Sequence, residues 1–404
     1  MKILWFSNKQ VLNLKGKDSG SWILSMAYGL TQNEGLCLVN VTEAPVTGIS
    51  VNEKGNIKEY VLPQYKLSNH GLPSSNDLIS IINIVDKENP DLIHVWGVEN
   101  YWGLIHARGY MSQYKWLLDM QGVLQSCYEL YLGTLCFDDF ISVMNPVKSI
   151  YAYSFVKLQK QRMKARVKYE NEIISSFEHI GYQSEWVKSW VRYKNPRALL
   201  FRSDIAVREE YTMVPKWSYK QQKTIMVITS QQAYKRIDLS IKALSILRAW
   251  GEDLNLIIIG NVNSKFKGYS LYLQSLVKKL NLSDFVNFVG GKTVEEIIQL
   301  SKDAICTIVA SSVESYSMVV AESLSMGIPV VASYAGAMPE FANKGMSPHY
   351  FPSGDYMACA SAIEKIITEC KSDSETAYPT VQVPTKTSNP SARQLLTYTK
   401  IINS

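Results

Sequence analysis

Ile305-Cys306-Thr307-Ile308-Val309 is followed by Ser311-Ser312-Val313-Glu314-Ser315-Tyr316-Ser317-Met318-Val319-Val320-Ala321-Glu322-Ser323-Leu324-Ser325-Met326-Gly327-Ile328-Pro329, and then by Val330-Val331-Ala332-Ser333. The first run is short, apolar and largely β-branched, as a strand buried on both faces should be. A Ser-rich turn comes next, and an apolar helical pattern begins at Ser317, a good cap for a first turn. Gly327 can close that helix in the left-handed conformation, and Pro329 stops it from continuing. Strand, turn, helix and strand make a βαβ unit, which predicts a parallel sheet.

The same alternation extends in both directions. Upstream lie a strand pattern at Thr224–Thr229, a helix at Asp238–Trp250, a strand at Leu254–Gly260, a helix at Leu271–Leu280, a strand at Val286–Val289 and a helix at Val294–Ser301. In the first half, Ile3–Phe6, Leu92–Trp96, Lys115–Met120 and Ile173–Ile180 read as strands, and Ile23–Leu30 as a helix. Two doubly wound, Rossmann-like α/β domains are expected, spanning 1–195 and 196–385, with a junction near 185–220. Ligands of such sheets bind outside the carboxyl ends of the strands, so the expected site is a cleft between the domains. A polar tail after Cys370 leads to a short helical pattern, Ala392–Ile402, which must dock to be stable.

With 404 residues, 46% of them hydrophobic and 19% charged, the chain can bury two cores and is not a disordered one. A net charge of +6 suits an anionic small ligand or membrane surface and is too small to demand nucleic acid. No nucleic-acid module is visible, and none is expected as a partner. The six cysteines form no CxxC pair, so neither a zinc site nor a redox motif is indicated. The apolar run at the N-terminus is too short for a signal peptide, and no stretch reaches the length of a membrane span. A cytoplasmic protein is expected. The basic stretch 148–168 carries two readings: a surface that meets anionic lipids at the inner face of the cell membrane, or a solvated helix face.

Chemistry concentrates at the turn after Ile305–Val309. The free N–H groups and positive dipole end of the helix starting at Ser317 make an anion site at a strand's carboxyl end. Glu314 precedes that helix start, and Glu322 lies five residues beyond Ser317, roughly 7–8 Å along the axis. The two carboxylates can thus meet hydroxyls at opposite ends of a diphosphate ligand. A second loop, Thr229-Ser230-Gln231-Gln232-Ala233-Tyr234-Lys235-Arg236, sits between a strand and a helix and offers cations to phosphate. Gly20, in Lys17-Asp18-Ser19-Gly20-Ser21-Trp22, would let backbone approach a phosphate closely.

The segment Glu314–Glu322 resembles the E-x7-E motif of glycosyltransferase family 4, and Gly336-Ala337-Met338-Pro339-Glu340 resembles that family's G-G-x-P-E turn. The resemblance implies a GT-B fold, with a C-terminal helix, 386–404, crossing back to the N-terminal domain. It implies transfer of a hexose-type sugar from a nucleoside diphosphate sugar to a glycan or lipid-linked acceptor, with retention and without a metal or other cofactor. Glu314 and Lys235 take the catalytic roles; Gly20, Arg236, Ser315, Tyr316, Ser317, Met318 and Glu322 complete the donor site. Ser230 stands where the family carries an arginine, and Gln121 where many members carry a histidine. Gln121, Gly122 and His94 are the acceptor-side candidates, although His94 also reads as a structural histidine within an apolar strand. Asp138-Asp139 is not a D-x-D motif and no HExxH spacing occurs, so no metal is expected. Two rivals stay open: a phosphorylase- or epimerase-type GT-B enzyme, and a donor-binding protein without turnover.

Overall fold

In the computed structural model, which describes residues 1–12, 22–205, 207–261, 267–344, 348–372 and 389–404, the chain divides into two units. One comprises Met1–Leu124, Ala165–Arg208 and Lys386–Ser404; the other comprises Gln125–Lys164 and Glu209–Thr385.

The first unit is built on an eight-stranded sheet. Its strands are β1 (Lys2–Phe6), β2 (Cys37–Ala44), β3 (Ser50–Lys54), β4 (Ile57–Pro63), β5 (Leu92–Trp96), β6 (Trp116–Asp119), β7 (His179–Tyr182) and β8 (Leu199–Arg202). The order is β3-β4-β2-β1-β5-β6-β7-β8, and every pairing is parallel except β3 with β4. Side chains alternate across the sheet, so Leu4 and Phe6 enter one core, and Ile3 and Trp5 the other. The second core is closed by the C-terminal helix Pro390–Asn403, which brings Tyr398 and Ile401 against Trp5. The Trp5 indole N–H donates to the Tyr398 hydroxyl at 2.9 Å, and Lys115 holds the carbonyls of Ile401 and Ile402. The C-terminal helix therefore belongs to the N-terminal unit.

The second unit holds a six-stranded, wholly parallel sheet of β9 (Thr224–Ile228), β10 (Asn255–Ile259), β11 (Val286–Gly290), β12 (Ala304–Val309), β13 (Val330–Tyr334) and β14 (His349–Pro352). Its order, β11-β10-β9-β12-β13-β14, reverses direction between β9 and β12. The crevice at such a switch point is where doubly wound sheets hold their ligands.

One expectation needs correction. Ile173–Ile180 is not one strand: Ile173 and Ile174 lie in the last turns of a 31-residue helix, Pro146–Ser176, and β7 starts at His179. A short apolar run serves the buried face of either element, so periodicity alone could not separate them. The basic stretch 148–168 is wholly inside that helix, and the part up to Lys164 belongs to the second unit.

Candidate active site

Both flanks of the switch point in the second unit carry residues singled out by the sequence, Lys235 and Glu314 among them. After β9 the chain turns at Thr229 and Ser230, passes through a 3-10 turn, Ala233–Lys235, and enters the helix Ile237–Ala249. After β12 it runs through Ser311 and Glu314 to the helix Met318–Ser325. Ser317 caps that helix as expected, its hydroxyl accepting from the Val320 amide. At the other end Gly327 is left-handed (φ 81°), its N–H donates to Leu324 and that of Ile328 donates to Ser323, which is a Schellman closure.

Glycines press the two loops into place. A Cβ on Gly260 would fall 1.9 Å from the carbonyl oxygen of Thr229, and one on Gly336 would fall 2.2 Å from that of Glu314. Gly336 is also left-handed (φ 56°), and the Ala337 amide donates to the Glu314 carbonyl at 2.8 Å. The Gly336–Glu340 turn thus fixes the backbone that carries Glu314. The loops are joined directly by the Ser312 amide, which donates to Tyr234 O at 2.7 Å.

Between them lies a cavity of about 340 Å³ lined by Thr229, Ser230, Lys235, Ser311, Glu314, Tyr316, Ser317 and Met318, among others. Lys235 Nζ donates to Glu314 Oε1 at 2.7 Å, and the Ser311 hydroxyl donates to the same oxygen at 2.7 Å. Burial works against the Lys235 charge, but the Glu314 carboxylate outweighs it and holds the ammonium above the ordinary lysine range. A larger hollow of about 670 Å³ lies beside Lys223 and Leu254, at the amino ends of β9 and β10, the wrong edge for a ligand of this fold.

The remaining candidates divide. Ser315 and Tyr316 sit in the turn before Ser317, with Tyr316 ring-to-ring against Phe341. Glu322 is one turn inside the helix Met318–Ser325 and buried. Arg236 does not reach the cavity. Its backbone is left-handed (φ 51°), it is 2% exposed, and its guanidinium grips Asp238 through two bonds of 3.0 and 2.9 Å while donating to Thr134. Its charge is committed to a buried pair. Gly20 lies outside the described residues.

In the first unit, His94 is 0% exposed, at the centre of β5, with Nδ1 2.7 Å from the Tyr398 hydroxyl. Burial keeps its pKa well below the usual histidine value. It is a core residue, in a strand whose two faces both enter the cores of the unit. Gln121 and Gly122 do follow β6 at its carboxyl end. Beside them stands a residue that the sequence did not signal, Glu99. Its carboxylate is wedged against Gly97 and Gly122, Oε2 is buried without a hydrogen-bond partner, and burial raises its pKa. A lone Glu in a loop has no spacing to betray it.

Two α/β units with parallel sheets, the second with its cavity at the switch point, define a GT-B protein. Solved structures agree over the whole chain. Sucrose-phosphate synthase from Thermosynechococcus elongatus superposes with a TM-score of 0.68 at 14% identity, covering 100% of this chain and 96% of that one. Anabaena HepE in complex with UDP and glucose gives 0.61 at 14% identity, covering 100% and 97%. Residues 212–378 match the family model of Glycosyl transferases group 1. Among curated relatives, the amylovoran biosynthesis glycosyltransferase AmsK of Erwinia amylovora is 24% identical over 164 residues, 39% of each chain. The curated relatives are matched over only 16% to 39% of their own length.

Proposed function

We propose that this chain is a retaining, metal-independent glycosyltransferase that moves a hexose-type sugar from a nucleoside diphosphate sugar to a glycan or lipid-linked acceptor. The observation that carries the reading is the cavity at the β9/β12 switch point, where Lys235, Glu314 and a helix N-terminus converge. The acceptor oxygen bonds to the anomeric carbon as the bond from that carbon to the diphosphate breaks, and the acceptor proton passes to the departing phosphate oxygen. Lys235 and the amides at Ser317 stabilise the negative charge that develops on the leaving group, so no metal or cofactor is required. Glu314 orients the sugar ring, and Glu322 serves the ribose.

HepE, with its bound UDP and glucose, supports a nucleotide-sugar donor, and AmsK supports a role in surface polysaccharide synthesis. Such an enzyme would work in the cytoplasm, against the inner face of the membrane. Gln121, Gly122 and Glu99 are the groups offered to the acceptor. Among the described residues no helix is long and apolar enough to cross a membrane.

One observation favours a second reading, a donor binder without turnover. With Ser230 in place of an arginine and Arg236 turned inward, Lys235 is the single cation among the described residues lining the cavity. Thermal shifts with UDP, GDP, ADP and CMP nucleotides identify the base, since a ligand of the folded state raises its melting temperature. The matching nucleotide sugars are then assayed for products. Transfer to an acceptor supports the proposal. Sugar phosphate or an isomerised donor points to a phosphorylase or epimerase, and binding without product to the second reading.

A further inference from the structure

We infer that the outward face of the helix Pro146–Ser176, through Lys164, is a docking surface for an anionic lipid bilayer. Four large apolar side chains stand out on it: Val147, Ile150, Tyr151 and Leu158 are 79%, 58%, 50% and 44% exposed. At about 100° per residue they form one stripe roughly 100° wide along about three turns. Lys148 and Arg162 flank the stripe on one side, and Lys157 and Lys164 on the other. All four are exposed.

The opposite face explains why the stripe is fixed in this orientation. Ser149, Ala152 and Val156 are buried. A Cβ on Gly268 would meet the Ala152 carbonyl oxygen at 2.3 Å, so that glycine lets the neighbouring helix Lys267–Lys279 press against this one. The back of the helix is therefore pinned to the second unit, and the apolar stripe is turned away from it.

Charge selects the occupant. From Pro146 to Tyr169 the chain carries seven Lys and Arg and no Asp or Glu. A second copy meeting this face about a two-fold axis would set those cations against one another. A nucleic acid would answer the cations but leave Val147 and Ile150 bare. An anionic bilayer answers both: apolar side chains enter the boundary between headgroups and acyl chains, tyrosine suits the interface, and the flanking cations reach the phosphates. The surface is also joined to the donor loop, because Thr134, from the same segment, accepts a hydrogen bond from Arg236, next to Lys235. Docking would then bring the donor cavity to a membrane-held acceptor.

Docking rests on the membrane-side part of the proposed function, but its test needs no turnover. The full chain is sedimented with vesicles of phosphatidylcholine alone, or with about a third phosphatidylglycerol, at low salt and at about 0.5 M salt. Binding to the anionic vesicles at low salt, and its loss in salt or on neutral vesicles, is expected. The pairs Ile150→Ser with Leu158→Ser, and Lys157→Glu with Arg162→Glu, should each weaken it about tenfold or more. Their melting temperature and nucleotide-induced thermal shift should match the parent. No binding by the parent, equal binding by both pairs, or a dimer that the serine pair splits would each overturn the inference. Vesicle binding with no sugar transfer would defeat the enzyme reading and leave the docking surface standing.

Discussion

Lys235 Nζ lies 2.7 Å from Glu314 Oε1, so the loop after β9 is clasped to the loop after β12 where the strand order reverses. A diphosphate sugar entering the cavity would exchange this contact for its own: phosphate for the ammonium, sugar hydroxyls for the carboxylate. Lys235→Ala and Glu314→Ala are each expected to lower turnover by about 10²–10³, the cost of one preorganised charge in a dry site. Circular dichroism and melting curves should stay close to the parent. Near-normal turnover in both variants would remove these two residues from the chemistry.

Gly336→Ala tests the support beneath Glu314. The added methyl would sit 2.2 Å from the Glu314 carbonyl oxygen, at a φ of 56° that alanine resists. A destabilisation of about 1–3 kcal/mol is expected, with a fall in turnover at temperatures where the variant remains folded. Unchanged activity would mean that the Gly336–Glu340 turn does not hold the carboxylate in place.

Arg236 should behave in the opposite way to its neighbour. Removing it strands Asp238, buried and hydrogen-bonded to Tyr269, without its counter-ion. Arg236→Ala should cost about 3–5 kcal/mol in urea unfolding. The surviving folded protein should bind donor almost as the parent does. Calorimetry showing a large loss of donor affinity at full stability would return Arg236 to the phosphate site.

Asp119 predicts a pH dependence. Burial pushes its carboxyl from 3.8 up to about 7, hydrogen bonds from Ser203 and Gln183 offsetting only part of the effect. Between these values the native protein keeps a proton that the unfolded chain has lost, so stability falls as pH rises through the window and levels off above it. Asp119→Asn removes the titration. Measured against the parent, the variant should gain on the order of 2–4 kcal/mol on going from pH 4 to pH 8. His94, whose pKa burial holds low, has its Nε2 3.8 Å from Asp119 Oδ2, so its titration opposes that of Asp119 within the same buried pair. Parallel stability curves would show that Asp119 titrates normally.

Five of the six strands of the second unit were legible in sequence as short, mainly apolar runs between helical patterns, and Glu314 and Lys235 stand at strand ends by position alone. The sixth, β14 (His349–Pro352), lacks such a run and was not expected. Nor was the placement of Arg236 legible. A single left-handed residue swings its side chain inward, and nothing in Lys235-Arg236 announces that turn. The roles of Gly260 and Gly336 in pressing on Thr229 and Glu314 arise from neighbours distant in sequence. The same holds for Gln125–Lys164, which lies within the first half of the chain but packs with the second unit through contacts such as Phe140 with Tyr272. Glu99 became visible only when β5 and β6 were set side by side.

The Tyr398 hydroxyl meets both Trp5 and His94. The face of β1 bearing Ile3 and Trp5 therefore cannot be sealed during synthesis until the helix Pro390–Asn403 has left the ribosome. At 5–20 residues per second, that face waits roughly 20–80 s. The intervening second unit is continuous from Glu209 to Thr385 except for its early segment, and can complete its sheet first. A nascent chain of this protein is thus exposed to chaperones and aggregation through this face of β1.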